Sequence, residues 1–324
     1  MATRNTLRRA LLYIPGSSQR FIDKSRTLTA DCVTYDLEDS VTPHMKPEAR
    51  SLVRRALDQP APAGIRERAV RINSVDSGMA LSDLTEVLQS PNLTTLVVPK
   101  VNSPSDLTFV TDVVTHTLSQ QQKQQHDQGA SRPPISILAL VESAKSLTNL
   151  TQICAASPLL QGLIFAAEDF ALDLSLTRTP SLTEFLFARS AIVTAARAAD
   201  LPSTIDLVCT TYKSDTPGQA PAVLQEECQD GKRLGFNGKQ CIHPTQVQTA
   251  QAVFGPDPAE VAWAMRVVVA DEKAAEAGRG AWTLDGKMID VPVAGKARAI
   301  VCKAEACGFD VGALRREWAH QEPE

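Results

Sequence analysis

Eight short apolar runs alternate along the chain with segments whose hydrophobic positions recur at helical spacing. The runs are rich in Val, Ile and Leu and almost continuously hydrophobic, which is typical of parallel strands buried on both faces. They lie near residues 10–15, 32–38, 67–72, 94–99, 135–142, 160–167, 204–209 and 236–242. Helices are predicted near residues 17–29, 46–58, 78–89, 104–119, 143–155, 181–199, 218–232 and 244–253. Eight strand–helix pairs over about 250 residues predict an α/β fold of the (β/α)8 TIM-barrel type.

The main competing architecture is an open doubly wound sheet with a second domain. That fold would place a G-x-G-x-x-G turn after an early strand, and the chain has none. We therefore predict a TIM-barrel catalytic domain over residues 8–255. A C-terminal helix–hairpin–helix extension is predicted over 256–310, with Asp285-Gly286 as the tight turn of the hairpin. The apolar residues of this hairpin should pack on another surface, such as a neighbouring subunit.

Charged residues directly follow many of the predicted strands. In a TIM barrel the carboxyl ends of the strands meet at one face, where the active site lies. Charges that end several strands should therefore converge on one polar site. They are Asp36, Glu38, Asp39, Arg71, Lys100, Glu142 and Asp169.

Glu142 and Asp169 end neighbouring strands, five and six, and predict a metal site. Two carboxylates without Cys or a nearby His suit a hard divalent cation, and Mg²⁺ can share its remaining positions with water and substrate oxygens. The alternative is that both acids cap the helices that follow them, because acids are favoured at helix amino ends.

Arg71 at the end of a buried strand needs an anion, either a substrate carboxylate or an internal carboxylate such as Asp36 or Glu38. The acidic group Asp36, Glu38 and Asp39 should raise the pKa of one member unless cations compensate it. Arg71, Lys100 and a metal would supply that compensation. We therefore predict a supporting electrostatic role for the three acids and Lys100.

Lys46 and Arg50 lie one helical turn apart at the start of the second predicted helix. Such a pair is usually a solvated face. Beside the mouth of an active site it would instead suit the phosphates of a cofactor tail.

Composition narrows the function class. The net charge of −4 does not favour nucleic-acid binding, and no apolar stretch approaches the roughly 20 residues of a membrane-spanning helix. The seven cysteines are scattered, as expected for reduced thiols, so we predict a cytoplasmic protein, with the mitochondrial matrix as the alternative. The glutamine-rich segment 119–134 is predicted to be a solvated loop.

An ordered set of segments resembles the citrate lyase β-subunit-like proteins of the HpcH/HpaI aldolase superfamily, in particular their citramalyl-CoA lyase branch. The segments are LLYIPGSSQRF, ADCVTYDLEDSVTPHMKPEAR, RINSVDSG, VVPKVNSPSDL, LVESAKSL, AAEDF, GFNGKQCIHPTQV and GAWTLDGKMIDVP. The resemblance implies a TIM barrel, Mg²⁺, a coenzyme A (CoA) thioester substrate and a homotrimer.

The resemblance also implies roles for individual residues. Glu142 and Asp169 match the metal ligands of the family, and Arg71 matches its substrate-carboxylate arginine. Asp290 matches an acid that a neighbouring subunit delivers to the active site, where it would serve as the catalytic acid–base. Lys46 and Arg50 match a K-x-x-A-R segment near the CoA phosphates.

The expected activity is therefore Mg²⁺-dependent, reversible carbon–carbon cleavage of a 3-hydroxyacyl-CoA, such as citramalyl-CoA or malyl-CoA, to acetyl-CoA and a 2-oxo acid. Two alternatives remain open. One is a metal-dependent aldolase that acts on hydroxy-oxo acids without CoA. The other is a non-catalytic citrate lyase-like subunit.

Overall fold

A computed structural model describes residues 7–124, 133–214 and 219–324 of the chain. Its centre is a closed barrel of eight parallel strands in sequential order, in which the first strand pairs with the last. The predicted TIM barrel is thereby confirmed, with all eight strands in the expected places. The strands are β1 Ala10–Pro15, β2 Ala30–Asp36, β3 Ile65–Arg71, β4 Thr95–Val98, β5 Ser136–Val141, β6 Leu160–Phe165, β7 Ser203–Asp206 and β8 Gly238–Cys241.

Helices connect successive strands and form the outer layer expected of the fold. The predicted helix near 143–155 is in fact two short helices, and an unpredicted helix follows β6. The helices around the barrel are α1 Gln19–Ser25, α2 Lys46–Asp58, α3 Ala80–Val87, α4 Pro104–Gln124, α5 Ala144–Thr148, α6 Leu150–Cys154, α7 Ala167–Leu174, α8 Leu186–Ala198, α9 Ala222–Leu234 and α10 Thr245–Phe254.

Strand residues alternate between the barrel interior and the helix layer, as the pleat requires. Inward apolar side chains, such as Leu11, Ala69, Val97 and Ile164, form one interior cluster. Close strand approach near the carboxyl face depends on Gly16, because a Cβ there would lie 2.6 Å from the carbonyl oxygen of Asp36.

The predicted loop 119–134 is only partly described. Residues 119–124 belong to α4, which is longer than predicted, and 125–132 lie outside the described residues. No helix in the described ranges is both long and apolar enough to cross a membrane.

Residues Ala252–Glu324 form a second compact unit. It holds α11 Pro258–Glu276, a hairpin of β9 Trp282–Leu284 and β10 Lys287–Ile289, α12 Val291–Ala306, and an unpredicted α13 Val311–Glu317. The hairpin turns at Asp285 and Gly286, both with positive φ, as a two-residue turn of this kind requires.

Two of the apolar hairpin residues, Trp282 and Ile289, pack on the rest of the second unit, and contact of the hairpin with a neighbouring subunit stays a prediction. Both are buried in the core of the second unit, together with residues of α11 and α12. Met288, on β10, is instead exposed, to 68%.

Candidate active site

Arg71 and Asp36 form a bidentate ion pair at the carboxyl face of the barrel. Each is the last residue of its strand, and β2 and β3 pair in register so that the two lie side by side. Arg71 Nε and Nη2 each donate to a carboxylate oxygen of Asp36 at 2.7 Å. Both side chains are largely buried, so this bidentate contact fixes the guanidinium plane. Asp36, one of the two internal carboxylates considered as partners of Arg71, therefore does pair with it.

Glu38 and Asp39 occupy the other edge of Arg71. Arg71 Nη1 lies 3.1 Å from Glu38 and 3.3 Å from Asp39. Lys100 Nζ lies 3.2 Å from Glu38. Burial raises the pKa of Glu38 to about 7, and the neighbouring Asp39 acts in the same direction. The predicted acidic group is thus assembled around the two predicted cations.

Glu142 follows β5 directly, and Asp169 lies in the first turn of α7 rather than at the end of β6. Both face one cleft of about 310 Å³, which Lys100 also lines. Burial raises the pKa of Glu142 to about 8, and the charges of Glu38 and Asp169 add to that rise. The backbone N–H of Lys100, a residue with positive φ, donates to the Glu142 carboxylate.

The surroundings of these two acids favour a cation site over the helix-capping alternative. Ser143, not Glu142, caps α5, by accepting a hydrogen bond from the Ser146 N–H at 3.0 Å. The N-cap of α7 is Ala166, which has no capping side chain. Asp169 therefore does not cap α7, although its charge lies at the favourable end of that helix.

The charge of Asp169 helps to raise the pKa of Glu142. A hard divalent cation fits this pair, because its positive charge would relieve the repulsion between the two carboxylates. Across the described ranges, no group of three or more His, Cys, Asp or Glu side chains is arranged to hold a metal. The pair Glu142 and Asp169 would therefore leave most positions of a bound ion to water and substrate, a pattern that is common for Mg²⁺.

Tyr13 is a site residue that sequence reasoning missed. The Arg71 guanidinium lies over its ring at 4.9 Å, and its hydroxyl donates to Gln240 Oε1 at 3.0 Å. Gln240 is held in turn by donating to the Phe165 carbonyl at 2.8 Å. The sequence could have indicated that Tyr13 points into the barrel, because strand alternation places it on the same face of β1 as Leu11.

Lys46 and Arg50 are not the solvated pair that the sequence suggested. Lys46 is only 6% exposed, and its Nζ donates to the carbonyls of Leu37 at 2.9 Å and Glu38 at 3.0 Å. A third bond goes to Asn73 Oδ1 at 2.5 Å. Arg50 Nε pairs with the buried Asp83 at 2.5 Å. Both cations therefore have partners within the protein, and their assignment to the CoA phosphates stays a prediction. Lys46 anchors the backbone that carries Glu38.

Asp290 belongs to the second unit. It is the N-cap of α12, where its side chain accepts a hydrogen bond from the Val293 N–H at 3.1 Å. The side chain is half-buried. Its assignment as an acid–base stays a prediction.

Fold and site together define a class of protein: a TIM-barrel enzyme with a charged, acid-rich site at the carboxyl ends of its strands. The family model described as HpcH/HpaI aldolase/citrate lyase matches residues 9–244. The chain belongs to this family, and the predicted lyase-type enzyme is confirmed at that level.

Named relatives cover nearly the whole chain. Human mitochondrial citramalyl-CoA lyase is 33% identical, over 92% of this chain and 85% of its own length. The citrate lyase β subunit of Escherichia coli K12 is 35% identical, over 93% and 95%. The (3S)-malyl-CoA thioesterase of Cereibacter sphaeroides KD131 is 34% identical, over 92% and 95%.

A solved structure is also similar to this chain over nearly its whole length. Protein CitE from Mycobacterium tuberculosis, in complex with magnesium, acetoacetate and coenzyme A, superposes with a TM-score of 0.70 at 26% identity. The match covers 93% of this chain and 99% of that chain.

Proposed function

We propose that this protein is a Mg²⁺-dependent carbon–carbon lyase acting reversibly on a 3-hydroxyacyl-CoA such as citramalyl-CoA or malyl-CoA. The observation that carries the proposal is the cleft in which Glu142 and Asp169 lie together beside Lys100. The named lyases among the relatives, and the magnesium and coenzyme A of the CitE complex, support it. The products would be acetyl-CoA and a 2-oxo acid.

Glu142 and Asp169 would hold the metal ion. When bound, Mg²⁺ would supply Lewis-acid polarisation of substrate oxygens and a template for their orientation. The raised pKa of Glu142 supports this assignment, because a bound cation would stabilise the ionised carboxylate that the protein alone disfavours.

Arg71 would orient the substrate carboxylate and stabilise negative charge on its oxygens. Asp36 holds Nε and Nη2, so the edge left for substrate is Nη1. The contacts of Nη1 to Glu38 and Asp39 are longer than those to Asp36 and can be exchanged for a substrate oxygen. The ring of Tyr13 packs against one face of the Arg71 guanidinium.

Asp290 of a neighbouring subunit in a homotrimer would take the proton of the substrate hydroxyl as the carbon–carbon bond breaks. The electron pair of that bond would pass to the acetyl carbon, giving the enolate of acetyl-CoA, and protonation of that carbon would complete acetyl-CoA. In the reverse direction Asp290 would return its proton to the hydroxyl oxygen. The exposed apolar residues on either side of Asp290 in the chain, Met288 at 68% and Val291 at 73%, support an intermolecular role for this segment. An Asp290→Asn variant that keeps full turnover and trimeric mass would contradict this role.

The test is a panel of citramalyl-, malyl-, methylmalyl- and citryl-CoA, each assayed with Mg²⁺ and with EDTA. We expect release of a 2-oxo acid from at least one of them, and loss of that release in EDTA. Glu142→Gln should abolish it, whereas Glu48→Gln, an exposed control on α2, should not. Activity that persists in EDTA would rule out the metal role, and release from CoA-free hydroxy-oxo acids would favour an aldolase. Complete inactivity with every substrate would favour the non-catalytic subunit.

A second candidate function is hydrolysis of a malyl-CoA thioester. The similarity to the (3S)-malyl-CoA thioesterase, 34%, equals the similarity to the lyases within about a percentage point. The two activities differ in product, because hydrolysis releases the free thiol of CoA whereas cleavage leaves it acylated. Measuring thiol and 2-oxo acid in the same reaction separates them.

The human relative is named mitochondrial. The predicted cytoplasmic location of this chain, with the mitochondrial matrix as the alternative, stays a prediction.

A further inference from the structure

A second concave site lies in the helix layer of the barrel, between α1 and α2. It is a groove of about 380 Å³ that shares no lining residue with the cleft of Glu142 and Asp169. Its α2 wall comes from the second half of that helix. Because helices of this fold run antiparallel to the strands, that half lies toward the amino-terminal face of the barrel.

Arginines dominate the charge of this groove. Arg26, at the end of α1, and Arg55, on α2, line it directly. Arg55 is exposed and has no ion pair among the described residues. Asp23 is the one acid in the lining, and its carboxylate accepts a hydrogen bond from Gln19 at 2.8 Å. The lining therefore has a net positive charge.

A third arginine, Arg68, lies against the same end of α2. It is in β3 between the inward-facing Glu67 and Ala69, so its side chain is in the helix layer, where barrel strands normally present apolar residues. It is 5% exposed, and its Nη1 donates to the carbonyls of Ala56 at 3.2 Å and Gln59 at 2.9 Å. Those two residues also line the groove.

The charge of Arg68 has no carboxylate partner in the described part of the chain. Asp58 acts on it from a distance but is itself paired with Arg54 at 3.0 Å. Burial lowers the pKa of Arg68, and the nearby charge of Arg26 lowers it further. A buried guanidinium without a counter-ion is costly, and a bound anion would remove that cost.

The floor of the groove supplies a neutral donor. Tyr35 lines it at 1% exposure, and its hydroxyl has one long contact, 3.4 Å to Ser25 Oγ. Ser25 Oγ already donates to the Ile22 carbonyl at 2.6 Å, so the hydroxyl of Tyr35 is the donor in that long contact. A better acceptor in the groove would attract this proton.

We propose that the groove between α1 and α2 binds the phosphate group of a small ligand, with Arg55 and Arg26 as direct contacts and Arg68 as a buried counter-charge. Guanidinium groups suit phosphate because their planar donors match its oxygens. The proposal does not rest on the lyase activity, since the site uses other residues.

The test is calorimetric titration of the full chain with inorganic phosphate at constant ionic strength. We expect saturable binding of one phosphate per chain, weakened about tenfold or more in Arg55→Gln through loss of charge-assisted hydrogen bonds. Arg20→Gln is the matched control, because Arg20 is an exposed arginine of α1 that does not line the groove and lies over the Phe21 ring at 5.9 Å. It should bind phosphate as the unsubstituted protein does.

Arg68→Met separates binding from a purely structural role of Arg68. We expect it to lose phosphate binding while keeping the barrel folded by circular dichroism, because a buried charge without a counter-ion adds little stability. Competition by CoA identifies the source of the phosphate: displacement assigns it to CoA, and no displacement assigns it to another phosphorylated ligand. No saturable binding, or equal affinity in Arg55→Gln and the unsubstituted protein, would overturn the proposal.

Discussion

The two ends of the barrel carry similar charged residues in opposite electrostatic states. At the amino-terminal end, Arg8 pairs with Glu67 through two short bonds of 2.6 and 2.7 Å, and Arg8 also donates to Ser203. Although burial alone raises the pKa of Glu67, its contacts with Arg8 outweigh it and lower that pKa below the usual range. One base balances one acid.

The carboxyl end is unbalanced by comparison. Arg71 and Lys100 face a larger number of acids, and the pKa values of two of these, Glu38 and Glu142, are raised to about 7 and about 8. A buried pair that is satisfied by the chain itself stabilises the fold. An excess of buried acid that the chain does not satisfy favours a bound cation. The contrast therefore separates a structural charge cluster from a functional one.

The largest expected effect is at the balanced end. Glu67→Gln should cost about 3–5 kcal/mol of unfolding free energy, because it leaves the Arg8 charge buried without a partner. Urea denaturation measures the change, with the exposed Glu48→Gln as the control. If Glu67→Gln costs under about 1 kcal/mol, the pair does not hold this end of the barrel together.

The free energy of unfolding should fall with rising pH because of a group at the carboxyl end of the barrel. The pKa of Glu38 is raised from 4.5 to about 7 in the folded chain, so its protonated form is favoured by folding. Its contribution to stability is full below the unfolded pKa near 4.5 and is lost as pH rises through about 7. At about 1.4 kcal/mol per pKa unit, the loss is at most about 3.5 kcal/mol.

Denaturation between pH 5 and pH 8 without metal measures this loss. The comparison is Glu38→Gln, which cannot titrate and should not show this component of the decline. Parallel curves for the two proteins would mean that Glu38 is not the group responsible.

Glu142→Gln should lower kcat/KM for the active CoA thioester by about a hundredfold or more, which corresponds to about 2.7 kcal/mol, because a metal ligand is lost. Its thermal midpoint without Mg²⁺ should not fall, since the raised pKa shows that the ionised carboxylate is disfavoured there. A variant that retains a tenth of the activity would argue against a metal at this acid.

The smallest expected effect concerns Tyr13. Tyr13→Phe keeps the ring beneath Arg71 but removes the bond to Gln240, so stability should fall by about 1 kcal/mol. Turnover should fall only severalfold, because the guanidinium keeps its contacts to Asp36. Denaturation and steady-state kinetics check the two parts separately. A loss of activity as large as that of Glu142→Gln would give the hydroxyl a direct role in chemistry.

Much of the fold can be predicted from the sequence. The eight apolar runs carry the strand signal locally, and the charges that follow them mark the carboxyl face. Helix α7 was missed because it begins directly after the apolar run of β6, so periodicity did not separate strand from helix. That error placed Asp169 at a strand end instead of in the first turn of a helix.

Pairing between distant residues cannot be predicted in the same way. Lys46 has the local pattern of a surface lysine, yet three acceptors from two other segments enclose it. Arg8 reads as part of a basic amino-terminal segment, and nothing near it in sequence indicates Glu67. Arg68 likewise gave no local sign that it lies buried beneath α2.

The order of the strands, and which charged residue ends each one, follows from the sequence alone, because hydrophobic periodicity and covalent order are local properties of the chain. Which charges pair, which remain unbalanced and how far their pKa values move depend on closure of the barrel. Closure places β1 beside β8 and β2 beside β3, and it removes Glu38 and Glu142 from water. Distance and burial set electrostatic energies, and both exist only in the folded chain.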